Sequence, residues 1–422
     1  MNFKDCNLVS KSLSDFGRRL MRNLRPVNMI VAASVAVLFT QSANAHRVTD
    51  AFVSQHGDGT TGADWCHAFK DFSQIKWANL SNGSTIYVEG GIYNTPLVFN
   101  ADGVTVRNGA APHNGQVDLV GTSSSGPIGM DVGNRSGIQI LATPQPKGSE
   151  LAEGFRVRNY AVGFRVGPNA SGIRLQGCGI TENSTTGILT SGNLEFDRCV
   201  VHDNGTSFKI NVIQSQSPGR DYGSYLVARE NWIFNSNYSH TGAGIRIEGD
   251  ENSAWQATFI QQCVLGPCLL RGAADWTPKD VLSINNSLFL DSEDANVMAA
   301  SPQTMVRFCT IFSTPHNALG TGHNCLNVPP GTLVDNSIVY GGQVDVAAGV
   351  KLGTPNDQFN TTGNKTALSP TEHNPNFVAD VDDFDGAVPA ATLEAADFTA
   401  RSSTAAGSSI TSVGLIRYLI LK

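Results

Sequence analysis

Ile173-Arg174-Leu175-Gln176-Gly177-Cys178-Gly179-Ile180 is an alternating apolar segment, a glycine, a small residue and a second apolar segment. The pattern returns at Leu194–Val201, Tyr225–Ile233, Thr258–Leu265, Leu282–Phe289, Val306–Phe312 and Leu333–Val339. Aligned on Cys178, Cys199, Asn231, Cys263, Ser287, Thr310 and Ser337, successive units lie 21, 32, 32, 24, 23 and 27 residues apart. A fixed core with variable spacing is the mark of a solenoid whose insertions are loops on its faces.

The units are strands. Apolar residues alternate or run three to five long, β-branched and aromatic types dominate, and Gly, Asn and Ser punctuate them. A third strand lies upstream of each following pair, at 163–167, 187–190, 208–212 and 244–249. Three strands per turn, stacked in register, make an all-β parallel β-helix of about ten turns. The small polar residues at the aligned turn are expected to stack as an internal ladder. Irregular repeat length and short isolated strands argue against a propeller or a sandwich.

Composition agrees. The 422 residues are 41% hydrophobic and only 15% charged, with 43 glycines, which suits a long turn-rich β core. The formal charge is −7, and removing residues 1–45, with six Lys/Arg and two Asp/Glu, takes it to −11. A nucleic-acid partner is therefore not expected, because that requires a basic footprint.

Residues 1–45 read as a secretory leader. Arg18, Arg19, Arg22 and Arg25 precede the apolar run Val27–Phe39, and Ala43-Asn44-Ala45 is a small-x-small cleavage site before His46. Thirteen residues are too few to span a bilayer, so no membrane partner is expected of the mature chain. It is placed outside the cell or in the periplasm, as a monomer, and the twin arginine lacks the rest of a Tat signal. One domain follows over 46–410, with a cap at about 49–93 and a capping tail at about 348–410, where the strand signal fades. Residues 411–422 are unassigned.

Trp65, Phe69, Phe72 and Leu80 fall near helical spacing, predicting a short amphipathic helix that plugs the open end of the core. None of the seven cysteines beyond residue 45 has zinc-type spacing. Cys178 and Cys199 are expected as buried thiols on neighbouring turns, and Cys263–Cys268 and Cys309–Cys325 are candidate disulfides.

The stretch Gly57-Asp58-Gly59-Thr60, Trp65-Cys66-His67-Ala68-Phe69 and Trp77 to Tyr93 resembles the N-terminal module of pectin/pectate-lyase-like right-handed parallel β-helix proteins. Asn374-Pro375-Asn376-Phe377-Val378, with the Ala/Ser-rich 388–408, is similar to the C-terminal cap of that superfamily. The resemblance covers most of residues 50–410 and implies right-handed winding. It is specific for fold, since the superfamily holds lyases, hydrolases, epimerases and surface proteins.

Alternate residues of a strand face opposite sides. The upstream strands should therefore present a column: Tyr87 with Glu89, Asp131, Arg165, Leu189, Lys209 with Asn211, and Arg246 with Glu248. The long insertions 202–224 and 235–256 flank it, adding His202, Tyr222, Tyr238, His240, Asp250, Glu251 and Trp255. The chemistry this fits is β-elimination from a uronate-containing glycan. That reaction needs a cation to neutralise the sugar carboxylate, a base for the C5 proton and an acid for the leaving oxygen. Lys209 beside Arg246 suits it, since a neighbouring cation lowers a lysine toward a usable base. Lys209 and Arg246 are the catalytic candidates; Arg165, Asn211, Glu248, Tyr222, Tyr238 and His240 are the substrate-binding ones. Lyases of the superfamily use Lys or Arg on this face, often with calcium, but their local motifs are not matched here. Glu248, Asp250 and Glu251 carry oxygens of the kind calcium takes, but three acids around a turn are more often a solvated loop, so calcium stays an open cofactor and no metal ligand is assigned.

Two other classes stay open. A glycoside hydrolase needs paired carboxylates about 5–10 Å apart. Asp131 and Glu248 stand four turns apart, about 19 Å, and the only Asp-Asp pair, Asp382-Asp383, lies in the tail; Glu248 with Asp250 or Glu251 remains conceivable. The third class is a non-catalytic glycan-binding or adhesin solenoid.

Overall fold

The computed structural model describes residues 50–122, 126–143, 154–205 and 208–211, and above these the strands and a few turn positions between residues 224 and 363. Residues 1–49 and 364–422, which include the expected leader and most of the expected capping tail, lie outside the described residues.

Among the described residues every strand pairing is parallel, and the strands are shared among a twelve-, an eleven-, a six- and a four-stranded sheet. The chain visits them in rotation. Ile173–Gln176 belongs to the twelve-stranded sheet, Cys178–Thr181 to the eleven-stranded and Thr186–Thr190 to the six-stranded. Leu194–Asp197 then returns to the first, directly against Ile173–Gln176. Three faces visited cyclically in register make a parallel β-helix. The four-stranded sheet takes the third place higher up, beginning at Ala295–Met298. Pairing runs on to Thr362–Gly363, past the point where the strand pattern weakens in the sequence.

The core follows from strand alternation. In Ile173–Gln176 the residues Ile173 and Leu175 are buried while Arg174 and Gln176 are partly exposed, and Phe155–Arg158 repeats this with Phe155 and Val157 inside. Ile86, Val106, Ile140, Leu175, Phe196 and Ala228 thus stack as one buried column, one residue per rung about 4.8 Å apart. A one-residue slip would turn every such side chain outward.

Cys263 and Ser287 of the expected ladder lie outside the described residues; elsewhere the ladder at the first corner is present, with one correction. Thr310 pairs with Ile338, so the residue level with Ser337 is Cys309. Cys309 and Ser337 are fully buried, and the Cys309 amide donates to Ser337 Oγ at 3.3 Å. The Cys199 amide likewise donates to Asn231 Oδ1 at 2.8 Å. Cys178, Cys199 and Cys309 are buried thiols, which rules out Cys309–Cys325 as a disulfide; Cys66 is disulfide-bonded. A second ladder stands at the next corner. Asn204 Oδ1 accepts from the Asn183 amide and Nδ2 at 3.0 and 2.9 Å, and Asn183 Oδ1 accepts from the Tyr160 amide at 3.1 Å.

The amphipathic helix expected near Trp65–Leu80 is not formed. Two single-turn 3₁₀ segments, Phe72–Gln74 and Trp77–Asn79, stand there with Ile75 extended between them. Asp71 caps the first by accepting from the Ser73 amide. Phe69, Phe72 and Ile75 still reach the core, and Leu80 packs against it half-buried. The free edge of Asp50–Val53 is covered by the loop after it: the Phe52 amide donates to Gly62 O, and the Phe69 amide to Phe52 O, both at 2.9 Å. Covering an edge strand removes a template for non-specific pairing.

Candidate functional site

The six-stranded sheet is built from Leu97–Val98, Ile128–Gly133, Val162–Val166, Thr186–Thr190, Phe208–Asn211 and Arg246–Glu248. Met130, Phe164 and Ile188 are its buried row. One residue further along, the register runs Val98, Asp131, Arg165, Leu189, Lys209, Arg246. Five of these six were expected together, and backbone pairing brings them into one row. Asn211 pairs with Glu248 two positions on. Tyr87 and Glu89 do not belong to it: Tyr87 is in the twelve-stranded sheet, and Glu89 sits at the corner that follows. Tyr222, Tyr238, His240, Asp250 and Glu251 lie outside the described residues. His202 ends the strand Val200–His202 of the eleven-stranded sheet, with Nδ1 2.7 Å from Asp203 Oδ2.

The close approach of this sheet to its neighbour depends on glycine. A Cβ on Gly163 would stand 2.6 Å from Ile180 Cγ2 and 2.7 Å from Asn183 Nδ2, inside any tolerable contact. On the row itself, Arg165 Nε donates to Asp131 Oδ1 at 2.9 Å and Nη2 to Oδ2 at 2.5 Å. Asp131 Oδ1 also accepts from the Gly133 amide at 2.9 Å. The Arg165 side chain is 42% exposed and that of Asp131 only 14%. A fork-on-fork pair of this kind fixes the guanidinium plane as well as its charge.

A second polar group, not foreseen in the sequence, surrounds Glu89. Ser54 Oγ donates to its Oε2, His56 Nδ1 lies 3.0 Å from Oε2, and His113 Nδ1 lies 2.8 Å from Oε1. The Trp65 indole stacks on the His113 ring with centroids 4.1 Å apart. Burial alone would raise the Glu89 carboxyl, but the hydrogen bonds from Ser54, His56 and His113 and the His113 charge outweigh it and hold it below the usual range. His113 arrives from a loop over twenty residues downstream, so no local spacing announces the group.

On the eleven-stranded sheet Asp118 is clasped by Arg156 and Arg158, with Nη2–Oδ2 distances of 2.7 and 3.0 Å. Burial would raise Asp118, yet the two guanidiniums hold it below the ordinary carboxylate range. Burial, with the Asp118 charge behind it, pushes the Tyr160 phenol up to about 12, which removes it as a proton acceptor near neutral pH. Asp197 is clasped similarly, by Arg174 at 2.9 Å and Arg229 at 3.7 Å. These pairs join adjacent rungs and read as stitching. Among the described residues no group of three or more His, Cys, Asp or Glu side chains is arranged to hold a metal ion, and no helix is long and apolar enough to cross a membrane.

The row therefore combines a fixed cation, an apolar rung at Leu189 and two further basic positions on adjacent strands. No family model and no curated protein matches the chain. Among solved structures it is similar to the pectate lyase Pel9A at 14% identity and a TM-score of 0.43, over 85% of this chain and 88% of that one. It is also similar to a rice weevil pectin methyl esterase at 8% identity and a TM-score of 0.22, over 67% and 81%. A pectin methylesterase in complex with a hexasaccharide gives 10% identity and a TM-score of 0.22, over 76% and 92%. Likenesses this distant carry no argument about activity.

Proposed function

We propose that the chain is a polysaccharide lyase that cleaves a uronate-containing glycan by β-elimination over the six-stranded sheet. The observation that carries this reading is the register pairing of Lys209 with Arg246, which puts two basic residues on neighbouring rungs of one row. At about 4.8 Å per rung, both can act on the same sugar unit. In the proposed reaction Arg246 neutralises the substrate carboxylate and so acidifies the C5 proton. Lys209, unprotonated, removes that proton; the electron pair forms the C4–C5 double bond and the C4–O bond breaks. The departing oxygen takes a proton from solvent or from a loop side chain. The products are an unsaturated uronide and a new sugar hydroxyl. Right-handed winding over about ten turns, export after cleavage at Ala45 and a monomeric state belong to the same reading.

The test is incubation with a panel of uronate polymers, following absorbance at about 230–235 nm, where a double bond conjugated with the carboxylate absorbs. A rise with a polyuronate supports the lyase. New reducing ends without that absorbance would mean a hydrolase, and retention of glycan with neither product would mean a binding protein.

A further inference from the structure

Asp131 and Arg165 form the most tightly built feature of the row, and β-elimination at Lys209 and Arg246 does not itself require them. Arg165 spends its Nε–Nη2 edge on Asp131, while Nη1 makes no hydrogen bond to any described residue. Asp131 is nearly buried and anchored a second time by the Gly133 amide, so its position is set by the backbone. A long arginine side chain on an open sheet face would otherwise sample many rotamers, and immobilising it on a ligand costs conformational entropy. Here the immobilisation is already made. Register puts Arg165 two rungs before Lys209, with Leu189 between them. Two rungs are about 10 Å, more than one sugar ring can span.

We infer that Arg165 is a docking cation for a second carboxylate of the same glycan, that Asp131 is its positioning residue, and that the glycan lies along the solenoid axis across the rungs of Arg165, Leu189 and Lys209. The substrate class that follows is an oligomeric or polymeric uronide with carboxylates repeating along the chain. A single uronate, or one uronate flanked by neutral sugars, engages only one end. Leu189, half-buried and apolar, offers the intervening sugar a face contact without competing for either carboxylate. This inference rests on the reading of the six-stranded sheet as the substrate face.

The experiment is calorimetric titration of the mature protein with galacturonate, glucuronate, mannuronate and guluronate oligomers of one, two, four and six units, in the wild type, Arg165→Lys and Asp131→Asn. Arg165→Lys keeps a charge on the row but loses the fork. Asp131→Asn keeps the shape and frees the guanidinium to wander. The expected result is a loss of tenfold or more in affinity for the four- and six-unit chains in both variants, with less than twofold change for the single unit. Where cleavage is observed, KM rises with kcat unchanged, the signature of lost uniform binding. Thermal unfolding midpoints within a few degrees of wild type show that both variants fold; if Asp131→Asn does not, Arg165→Lys carries the test alone. Affinity for the long chains that is indifferent to Arg165→Lys, or that falls equally at every length, overturns the inference while leaving the lyase reading intact. A wild type that binds no uronide at all overturns both.

Discussion

Asn183 and Asn204 sit one above the other inside the second corner, and the upper carboxamide oxygen accepts from both the amide and the side chain of the lower residue. Asn204 Nδ2 also donates to the carbonyls of Ile180 and His202, both at 2.8 Å. Every polar atom of this side chain is used, in a fully buried position. Asn204→Ala strands several backbone groups without water, each costing about 1–3 kcal/mol. We expect a loss of about 2–4 kcal/mol, read from the urea midpoint at constant m. A change within roughly 0.5 kcal/mol, the scatter of ordinary surface substitutions, would contradict the ladder.

The corrected register makes a chemical prediction. With Cys309 level with Ser337, the thiols of Cys178, Cys199 and Cys309 all face the core. Native protein treated with a thiol reagent should leave these three unlabelled on peptide mapping, and denatured protein should label all three. Rapid native labelling of Cys309 would restore Thr310 to the ladder and turn that strand over.

Acid should open the molecule from its clasped carboxylates. Glu89 and Asp118 are both held below their ordinary values of 4.5 and 3.8. A depressed carboxylate stabilises the fold above its unfolded value, and that contribution is lost as pH falls through the folded value. The unfolding temperature should therefore be insensitive to these groups between pH 5 and 8, then fall from about pH 4 downward. Asp118→Asn should lower stability at neutral pH by about 1–3 kcal/mol, since it takes the nearly buried carboxylate away from the two guanidiniums that share it, and should flatten the acid limb. An acid limb unchanged in both Asp118→Asn and Glu89→Gln would place the acid-sensitive groups elsewhere.

Gly163 tests the corner that sets the six-stranded sheet against its neighbour. Gly163→Ala drives a methyl into Ile180 and Asn183, and overpacking of this kind costs about 1–3 kcal/mol. The same substitution at Gly126, where nothing lies within 4 Å of an added Cβ, should be nearly neutral. Equal unfolding midpoints for the two variants would argue against the close approach.

What could be read from the chain and what could not follows the range of each interaction. The three strands per turn, and the row Asp131, Arg165, Leu189, Lys209 and Arg246, came from alternation within single strands, a local signal. Cys309 and Thr310 are both small and polar, so composition could not choose between them; the apolar residues paired above and below did. The Asn183–Asn204 ladder stayed hidden because asparagine between Glu182 and Ser184 looks like ordinary turn chemistry. Tyr87 faces out from the twelve-stranded sheet instead, paired with Phe52, because alternation within a strand gives its faces but not which of the three sheets the strand enters. The cap is not the expected helix because the spacing of Trp65, Phe69, Phe72 and Leu80 mimics a helical period while the backbone makes only isolated 3₁₀ turns, which still bring Phe69 and Phe72 into the core.

The most direct measurement of the central proposal is the initial rate of 230–235 nm absorbance on the polyuronate that the wild type cleaves, compared with Lys209→Ala and Arg246→Ala. The proposed roles, a general base and an electrostatic stabiliser, each predict a loss of at least about 10²-fold in rate. The unfolding midpoint of each variant, measured alongside, should stay within a few degrees of wild type, so that the lost rate is not lost folding. Rates within a few-fold of wild type in both variants would contradict the account and move the chemistry away from the six-stranded sheet.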